Sequence, residues 1–182
     1  MLAAIRRLLR RKVVAPGRKG GGGIAAAEFI KQTEGDPEYQ ARLAVMEQQR
    51  AEIRHRCEED ERELVGEIRA LGLNITSVYD LVNNTPHSVL EHHFVGPYAE
   101  AYPVLLKHLT ITHEPNIREG IIRALIVKDL PEHGTEILLQ QLRQESNQIH
   151  RCCLAMACRK ALGRKRASAY PEIDSAFRAG MV

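Results

Sequence analysis

A short leucine pattern occurs twice in the chain, and its spacing constrains the fold more than any other feature of the sequence. Residues 105–109 and 138–142 both read LLxxL, and the two copies lie 33 residues apart. Each copy is followed by a short polar break and then by a second stretch with helical periodicity, 116–128 and 147–162. Two helices in every repeat of about this period are typical of α-solenoids. The pattern therefore predicts two stacked helical pairs.

Both pairs carry apolar residues at positions that fall on one face of a helix. In the first pair, the first helix is expected at 97–109, and Pro103 either begins this helix or kinks it. Beyond the LLxxL leucines, the residues that we predict to be buried are Ile117, Ile121, Ile122, Leu125 and Ile126, then Ile137, Leu138 and Leu142, and finally Ile149, Cys153, Ala157 and Ala161. Arg118, Glu119 and Arg123 lie outside this face. Neither pair can bury its apolar surface alone, so the pairs are expected to stack on each other or on a preceding helix.

A long charged helix is predicted ahead of the repeats, at 37–71. Asp36 provides an N-cap carboxylate, Pro37 occupies the first helical position and Gly72 marks the stop. The apolar stripe of this helix consists of Tyr39, Leu43, Met46, Ile53, Cys57, Leu64 and Leu71. Charged residues interrupt the stripe, which makes a parallel coiled-coil dimer unfavourable. We therefore expect the helix to pack on the repeats at both ends, to be hydrated around 50–63, and to have a soft point at Gly66.

These features divide the chain into four parts and predict an all-α fold, in which a short helical-repeat array follows a long charged helix. The parts are a basic tail with a glycine-rich linker at 1–23, a helical prefix at 24–72, a short helix and loop at 73–96, and the repeats with a C-terminal helix at 97–178. The short helix is expected at 76–82, and the C-terminal helix at 168–178.

Basic residues are concentrated at the two ends of the chain, although the net charge is only +3. They give two groups of candidate contacts to an anionic partner such as nucleic acid: Arg6, Arg7, Arg10 and Arg11 in the tail, and Arg151, Arg159, Arg164, Lys165 and Arg166 near the end of the repeats. Bases near a helix C-terminus also favour the helix dipole and keep a surface solvated, which is the alternative interpretation. Acidic residues crowd 58–63, where they are expected to form a solvated face of the long helix.

Histidines and cysteines are the candidates for metal binding or catalysis, but their spacing favours neither. The two groups are His87, His92 and His93 in one segment, and His150, Cys152, Cys153 and Cys158 in another. Neither the paired CxxC motif nor the HExxH motif of zinc sites occurs in the sequence. Cys153 lies on the apolar side of its helix, where a free cysteine behaves as a small hydrophobic residue, and no third residue orients a His150–Cys153 pair. We expect a chain that is not an enzyme and that has no metal and no cofactor.

The sequence also predicts a cytoplasmic location. It has no run of 18 or more apolar residues, so no transmembrane segment is expected. The arginines on both sides of Leu8 and Leu9 interrupt what would be the apolar core of a secretory signal. Four cysteines without a CxxC pair favour reduced thiols over a disulfide framework.

Three segments together resemble a group of bacterial HEAT-repeat-like proteins of uncharacterised function. The segments are 77–83, which reads SVYDLVN, 101–106, which reads AYPVLL, and 117–125, which reads IREGIIRAL. The resemblance covers roughly 36–130 and implies a HEAT-like array, a fold whose members generally bind proteins and less often nucleic acids. It implies no activity. We therefore expect a non-enzymatic protein–protein interaction module, one version of which is an inhibitor or immunity-type protein. The alternative is a nucleic-acid-associated protein that uses the basic ends.

Overall fold

The computed structural model describes residues 35–85 and 94–179, and every regular element in these two segments is helical. The helices, numbered in chain order, are α1 (Pro37–Asp60), α2 (Arg62–Ala70), α3 (Tyr79–Val82), α4 (Tyr102–Leu109), α5 (Pro115–Ala124), α6 (Glu132–Gln144), α7 (Gln148–Ala167) and α8 (Pro171–Ala179). The predicted all-α fold is confirmed for this part of the chain. The predicted basic tail at 1–23 lies outside the described residues.

The chain divides into two compact units, Met1–Gln48 and Gln49–Val182. Of the first unit, the structure describes only residues 35–48, nearly all of which belong to α1. The second unit contains the rest of α1 and all the later helices. The packing described below is that of the second unit.

Helix α1 starts where the sequence predicts. The Oδ1 atom of Asp36 accepts hydrogen bonds from the backbone amides of Glu38, at 2.9 Å, and Tyr39, at 3.2 Å. These bonds satisfy two of the amide groups that the first turn of a helix leaves without partners. Pro37 follows at the first helical position, where its missing N–H has no consequence.

The helix predicted at 37–71 is divided into α1 and α2 at Glu61, although the backbone hydrogen bonds on both sides of this residue remain helical. The buried carboxylate of Glu61 accepts hydrogen bonds from the Ser77 hydroxyl, at 3.0 Å, and the Val78 amide, at 3.1 Å. Gly66, the expected soft point, lies inside α2. The predicted stop is confirmed, because α2 ends at Ala70 and Gly72 has a φ of +88°, which favours glycine.

The helices of the second unit contact one another in two rows. In the first row, α2 contacts α4, α4 contacts α6 and α6 contacts α8. In the second row, α3 contacts α5 and α5 contacts α7. Contacts of α4 with α5 and of α6 with α7 join the rows, and the buried apolar side chains of the described residues form a cluster with members in both. The chain thus alternates between two layers around one core.

Most of the predicted core positions are buried. The three leucines of each LLxxL copy, together with Ile117, Ile121, Ile122 and Leu125, are buried, whereas Ile126 and Ile137 are half-buried. Pro103 lies in the first turn of α4, after a 3₁₀ turn at Ala99–Ala101, so it begins a helix rather than kinking one. The first helix of this pair is therefore shorter than the predicted 97–109.

The predicted buried face of α7 is wrong at its first position. Ile149 is 59% exposed, whereas the neighbouring His150 is 5% exposed. The ring of His150 is retained inside because its Nε2 atom donates a hydrogen bond to the carbonyl of Pro115, at 3.0 Å. Cys153 and Ala157 are buried as predicted, and Ala161 is half-buried.

The two short predicted helices exist but are shorter than expected. The helix predicted at 76–82 is α3, Tyr79–Val82, and the one predicted at 168–178 is α8, Pro171–Ala179. The residues just before α3 are held by Asp80, whose carboxylate accepts hydrogen bonds from the backbone amides of Thr76 and Ser77. The end predicted at 162 for the helical stretch 147–162 is confirmed, because Gly163 has a non-helical φ of +72°; beyond this kink, α7 continues to Ala167.

We predict opposite effects on stability for two glycine-to-alanine substitutions. A Cβ atom on Gly120 of α5 would lie 2.6 Å from Cγ1 of Val78, so G120A must push α3 and α5 apart and should destabilise the fold by about 1–3 kcal/mol. A Cβ atom on Gly66 meets nothing within 4 Å, so G66A should stabilise α2 by up to about 1 kcal/mol. Urea unfolding measures both, and a G120A variant as stable as the wild type would contradict the close approach of the helices.

Candidate functional site

Arg118 is the centre of a polar cluster between the helices, not a residue outside the buried face. Its guanidinium group donates hydrogen bonds to the carbonyl of Leu109 and to Gln141 Oε1, both at 2.9 Å, and to Glu145 Oε2, at 2.8 Å. Leu109 ends α4, Arg118 belongs to α5, and Gln141 belongs to α6. One side chain therefore joins three helices.

Glu145, directly after α6, is the acidic partner in this cluster, and its side chain is only 9% exposed. Burial acts to raise the pKa of this carboxyl group. The hydrogen bonds from the Asn147 amide and from Arg118 outweigh burial, so the pKa lies below its usual range. His150 Nδ1 also lies 3.6 Å from the carboxylate, which brings α7 into the cluster. We interpret this cluster as structural.

A second polar chain runs from the end of α1 to α4. The Oδ2 atom of Asp60 lies 2.8 Å from His113 Nδ1 and accepts a hydrogen bond from the Glu114 amide, at 3.0 Å. His113 Nε2 lies 3.1 Å from His108 Nδ1. A carboxylate can only accept hydrogen bonds, so His113 Nδ1 must be the donor in the first contact. The two imidazoles thus form a relay that begins at Asp60.

The outer end of this relay faces two glutamates of α2. His108 is buried, and its Nε2 atom has no hydrogen-bond partner among the described residues. The nearest carboxylate oxygen is Glu67 Oε2, at 3.6 Å. Ligand atoms of Glu63, Glu67 and His108 all lie within 4.8 Å of one another, so these residues are the group in the described chain that could hold a metal ion. Burial lowers the pKa of His108, which favours the neutral ring.

Sequence reasoning missed this group of residues. Two signals were present: Glu63 and Glu67 are four residues apart, which puts them on one helix face, and His108 occupies a variable position of the first LLxxL copy beside Leu109. Neither signal shows that α2 and α4 are neighbours, because the glutamates and the histidine are about 40 positions apart in the chain. The predicted absence of a metal is therefore open to test at this group.

Two of the predicted basic contact residues serve the fold. The side chain of Arg151 is half-buried, and it donates a hydrogen bond to the carbonyl of Glu145, at 3.0 Å, beyond the end of α6. The guanidinium carbon of Arg159 lies 5.4 Å from the centroid of the Phe177 ring of α8, a cation–π contact. The Arg159 side chain remains exposed, whereas the Arg151 side chain is half-buried against the fold.

The remaining predicted basic residues fall into an exposed group and a group outside the described chain. Arg164, Lys165 and Arg166 are exposed in the last turn of α7, after the kink at Gly163. None of the ion pairs among residues 35–85 and 94–179 involves these three residues. Arg6, Arg7, Arg10 and Arg11, as well as His87, His92 and His93, lie outside the described residues.

Helix α1 carries apolar side chains that are partly or largely exposed among the described residues. It has 24 residues and none of them is buried. Met46 is 44% exposed, while Tyr39 and Leu43 on the same stripe are half-exposed. Among the described residues of the predicted 37–71 helix, the buried ones begin at Glu61 and lie in its C-terminal part.

Cys153 and Cys158 behave as structural residues rather than as nucleophiles. All four are free, and Cys153 and Cys158 are buried. Burial raises the pKa of both thiols, that of Cys158 to about 12, so neither forms a thiolate readily. Burial also raises the pKa of Cys57, which is half-buried.

Comparison with models of protein families, with curated proteins and with solved structures finds no match for this chain. Within the part of the chain that the structure describes, no helix combines the length and the apolar character needed to cross a membrane. The function must therefore be inferred from the chain's own geometry.

We predict that Glu145→Gln destabilises the protein by about 2 kcal/mol at pH 7, because a charged hydrogen bond to Arg118 is lost in a buried site. The pKa of Glu145 is lower in the folded state than its ordinary value of 4.5, so its contribution is complete above pH 4.5 and disappears as the pH falls through the folded value. The wild type should therefore lose more stability than E145Q during acid titration, as measured by urea unfolding at several pH values.

Glu172→Gln is the matched control, because Glu172 also has a lowered pKa and pairs with Arg143, but this pair is largely exposed. Its substitution should cost less than about 1 kcal/mol. If E145Q and E172Q lowered the free energy of unfolding equally, the Arg118 cluster would contribute no more to stability than an exposed ion pair.

Proposed function

We propose that this chain is a non-enzymatic, HEAT-like helical-repeat protein that binds another protein through the N-terminal part of α1. The alternation of helices between two contacting rows supports the repeat architecture, because each pair packs on its neighbours as repeat units do. The four free cysteines support a reducing compartment such as the cytoplasm.

The observation that carries the proposal is the uncovered stripe of α1. Tyr39, Leu43 and Met46 follow one another at steps of four and three, so they lie on one face of the helix, and none of them is buried. This spacing matches the anchors of an amphipathic helix that binds in a groove of a partner. Burial of a leucine or methionine side chain is worth roughly 1.5–3 kcal/mol, so Leu43 and Met46 together with Tyr39 provide substantial affinity.

The sequence of the stripe favours a different protein over a second copy of this chain. The next position of the stripe after Met46 is occupied by Arg50. In a parallel dimer, this arginine would meet its own copy at the seam, which costs stability. A partner groove that is apolar along its length and has a carboxylate opposite Arg50 would complement the stripe instead. An inhibitor or immunity-type protein would act in this way, since a helix that fills a groove blocks it.

A double substitution in the stripe tests this proposal. The full chain is immobilised and exposed to a lysate of its host, and the captured proteins are identified by mass spectrometry. Leu43→Glu with Met46→Glu should reduce capture of the specific partner at least tenfold, since two charges would enter an apolar groove. The matched control is Ile149→Glu with Met156→Glu, two exposed apolar residues of α7, which should capture the partner as the wild type does.

All three proteins should have the same thermal midpoint, because none of the four residues is buried. Equal capture by the α1 variant and the wild type would exclude α1 as the binding element. Sedimentation of the purified chain as a dimer that the α1 variant dissociates would show that the partner is a second copy.

A second candidate function is association with nucleic acid, and the exposed run of Arg164, Lys165 and Arg166 favours it. Contacts of this kind go to phosphates and carry no sequence information. In the same preparations, binding to duplex DNA should weaken steeply as salt rises, and alanine at all three positions should lower the salt slope by about one unit per lost contact. Binding that is absent or independent of salt would remove this candidate.

A further inference from the structure

His108 carries a buried nitrogen atom that nothing in the described chain satisfies. Its side chain is 1% exposed, and Nε2 has no hydrogen-bond partner. A buried polar atom without a hydrogen-bond partner lowers the folding stability by about 1–3 kcal/mol, so such atoms are rare in native structures. The atom faces Glu67, whose Oε2 atom lies 3.6 Å away.

When both imidazoles are neutral, the hydrogen-bond relay behind the ring determines which nitrogen carries the proton. Asp60 requires a proton on His113 Nδ1, so the Nε2 atom of a neutral His113 ring is an acceptor. His108 Nδ1 must then donate to His113 Nε2 across 3.1 Å. A neutral His108 consequently presents a bare lone pair at Nε2, directed towards an oxygen atom that also bears lone pairs. A cation between these two acceptors would bind both of them.

The same relay is the arrangement that supports a metal-binding histidine. A histidine that binds a metal through one nitrogen almost always donates its other N–H to a fixed acceptor, which sets the orientation of the ring. Here the acceptor is His113, which Asp60 orients in turn. His108 is therefore held in the orientation that a metal-binding histidine needs.

The carboxylates of α2 supply the remaining protein ligands. Glu63 and Glu67 are one helical turn apart, and α2 contacts α4, which carries His108. Ligands at about 2.0–2.1 Å from a tetrahedral ion lie about 3.3 Å from each other, so atoms now within 4.8 Å need to move by about 1.5 Å at most. The Glu63 side chain is largely exposed and free to make this adjustment.

We propose that Glu63, Glu67 and His108 bind a divalent first-row transition-metal ion, which joins α2 to α4. One imidazole and two carboxylates suit Zn²⁺, Mn²⁺ or Fe²⁺, whereas Mg²⁺ and Ca²⁺ prefer sites made only of oxygen atoms. Water completes the coordination. This inference does not depend on the proposed partner of α1.

Lys107 forms ion pairs with both carboxylates. Its ammonium group lies 3.6 Å from Glu63 and forms a hydrogen bond with Glu67. The Lys107 side chain is more than half exposed, so it can turn into solvent at little cost. The lysine therefore competes with the metal, which provides a distinctive test.

Zinc titration of the full chain by calorimetry tests the site, after chelation and dialysis of protein without an affinity tag. The wild type should bind one Zn²⁺ at this site, and Glu63→Gln with Glu67→Gln should weaken that binding by more than about 100-fold, the upper range for loss of supporting groups alone. Asp60→Asn, which changes the relay but removes no metal ligand, should weaken it by about 10–100-fold. Lys107→Ala should tighten it, because the competing cation is gone.

Glu132→Gln with Glu136→Gln is the matched control, since these exposed glutamates of α6 have the same spacing but no buried histidine is grouped with them. This variant should bind zinc as the wild type does. Equal affinity of the two double variants, weaker binding by Lys107→Ala, or no binding by the wild type would overturn the proposal. Co²⁺ identifies the ligands: thiolate charge-transfer absorption would place the ion on cysteines and would also overturn it.

Discussion

The ion pair between Arg118 and Glu145 holds the helices of this protein in register. Arg118 reaches the last carbonyl of α4 and two acceptors in or after α6, and Glu145 also faces His150 of α7. A buried ion pair adds little net stability compared with apolar packing, but removal of one partner is costly. We therefore interpret the cluster as fixing the relative positions of the helices, while the leucines contribute most of the buried apolar surface.

Two neighbouring carboxylates connect this core to α1. Asp60 bonds to His113 and to the Glu114 amide, while Glu61 bonds to Ser77 and Val78. The chain is thus fixed at the junction of α1 and α2, and this junction marks where burial begins. A ligand on His108 would strengthen the same connection, because its ring leads through His113 to Asp60.

The repeated LLxxL pattern predicted the core well because burial of leucines depends on local periodicity. The pattern did not predict burial correctly where a residue distant in the chain provides the hydrogen-bond partner. Ile149 was predicted inside from its apolar character, but His150 takes the place because the Pro115 carbonyl accepts its N–H. Arg118 and the break at Glu61 were missed for the same reason. The candidate metal site combines residues from α2 and α4, and sequence spacing does not show that these helices meet.

Among the described residues, the helices from α2 onwards share a buried core, whereas α1 has no buried residue. Hydrogen exchange of the free, full chain, followed by mass spectrometry, tests this difference most directly. Peptides from 37–48 should exchange quickly, while peptides from α5 and from the first half of α7 should exchange only at the rate of global unfolding. Protection of 37–48 equal to that of α5 in the monomer would contradict the account.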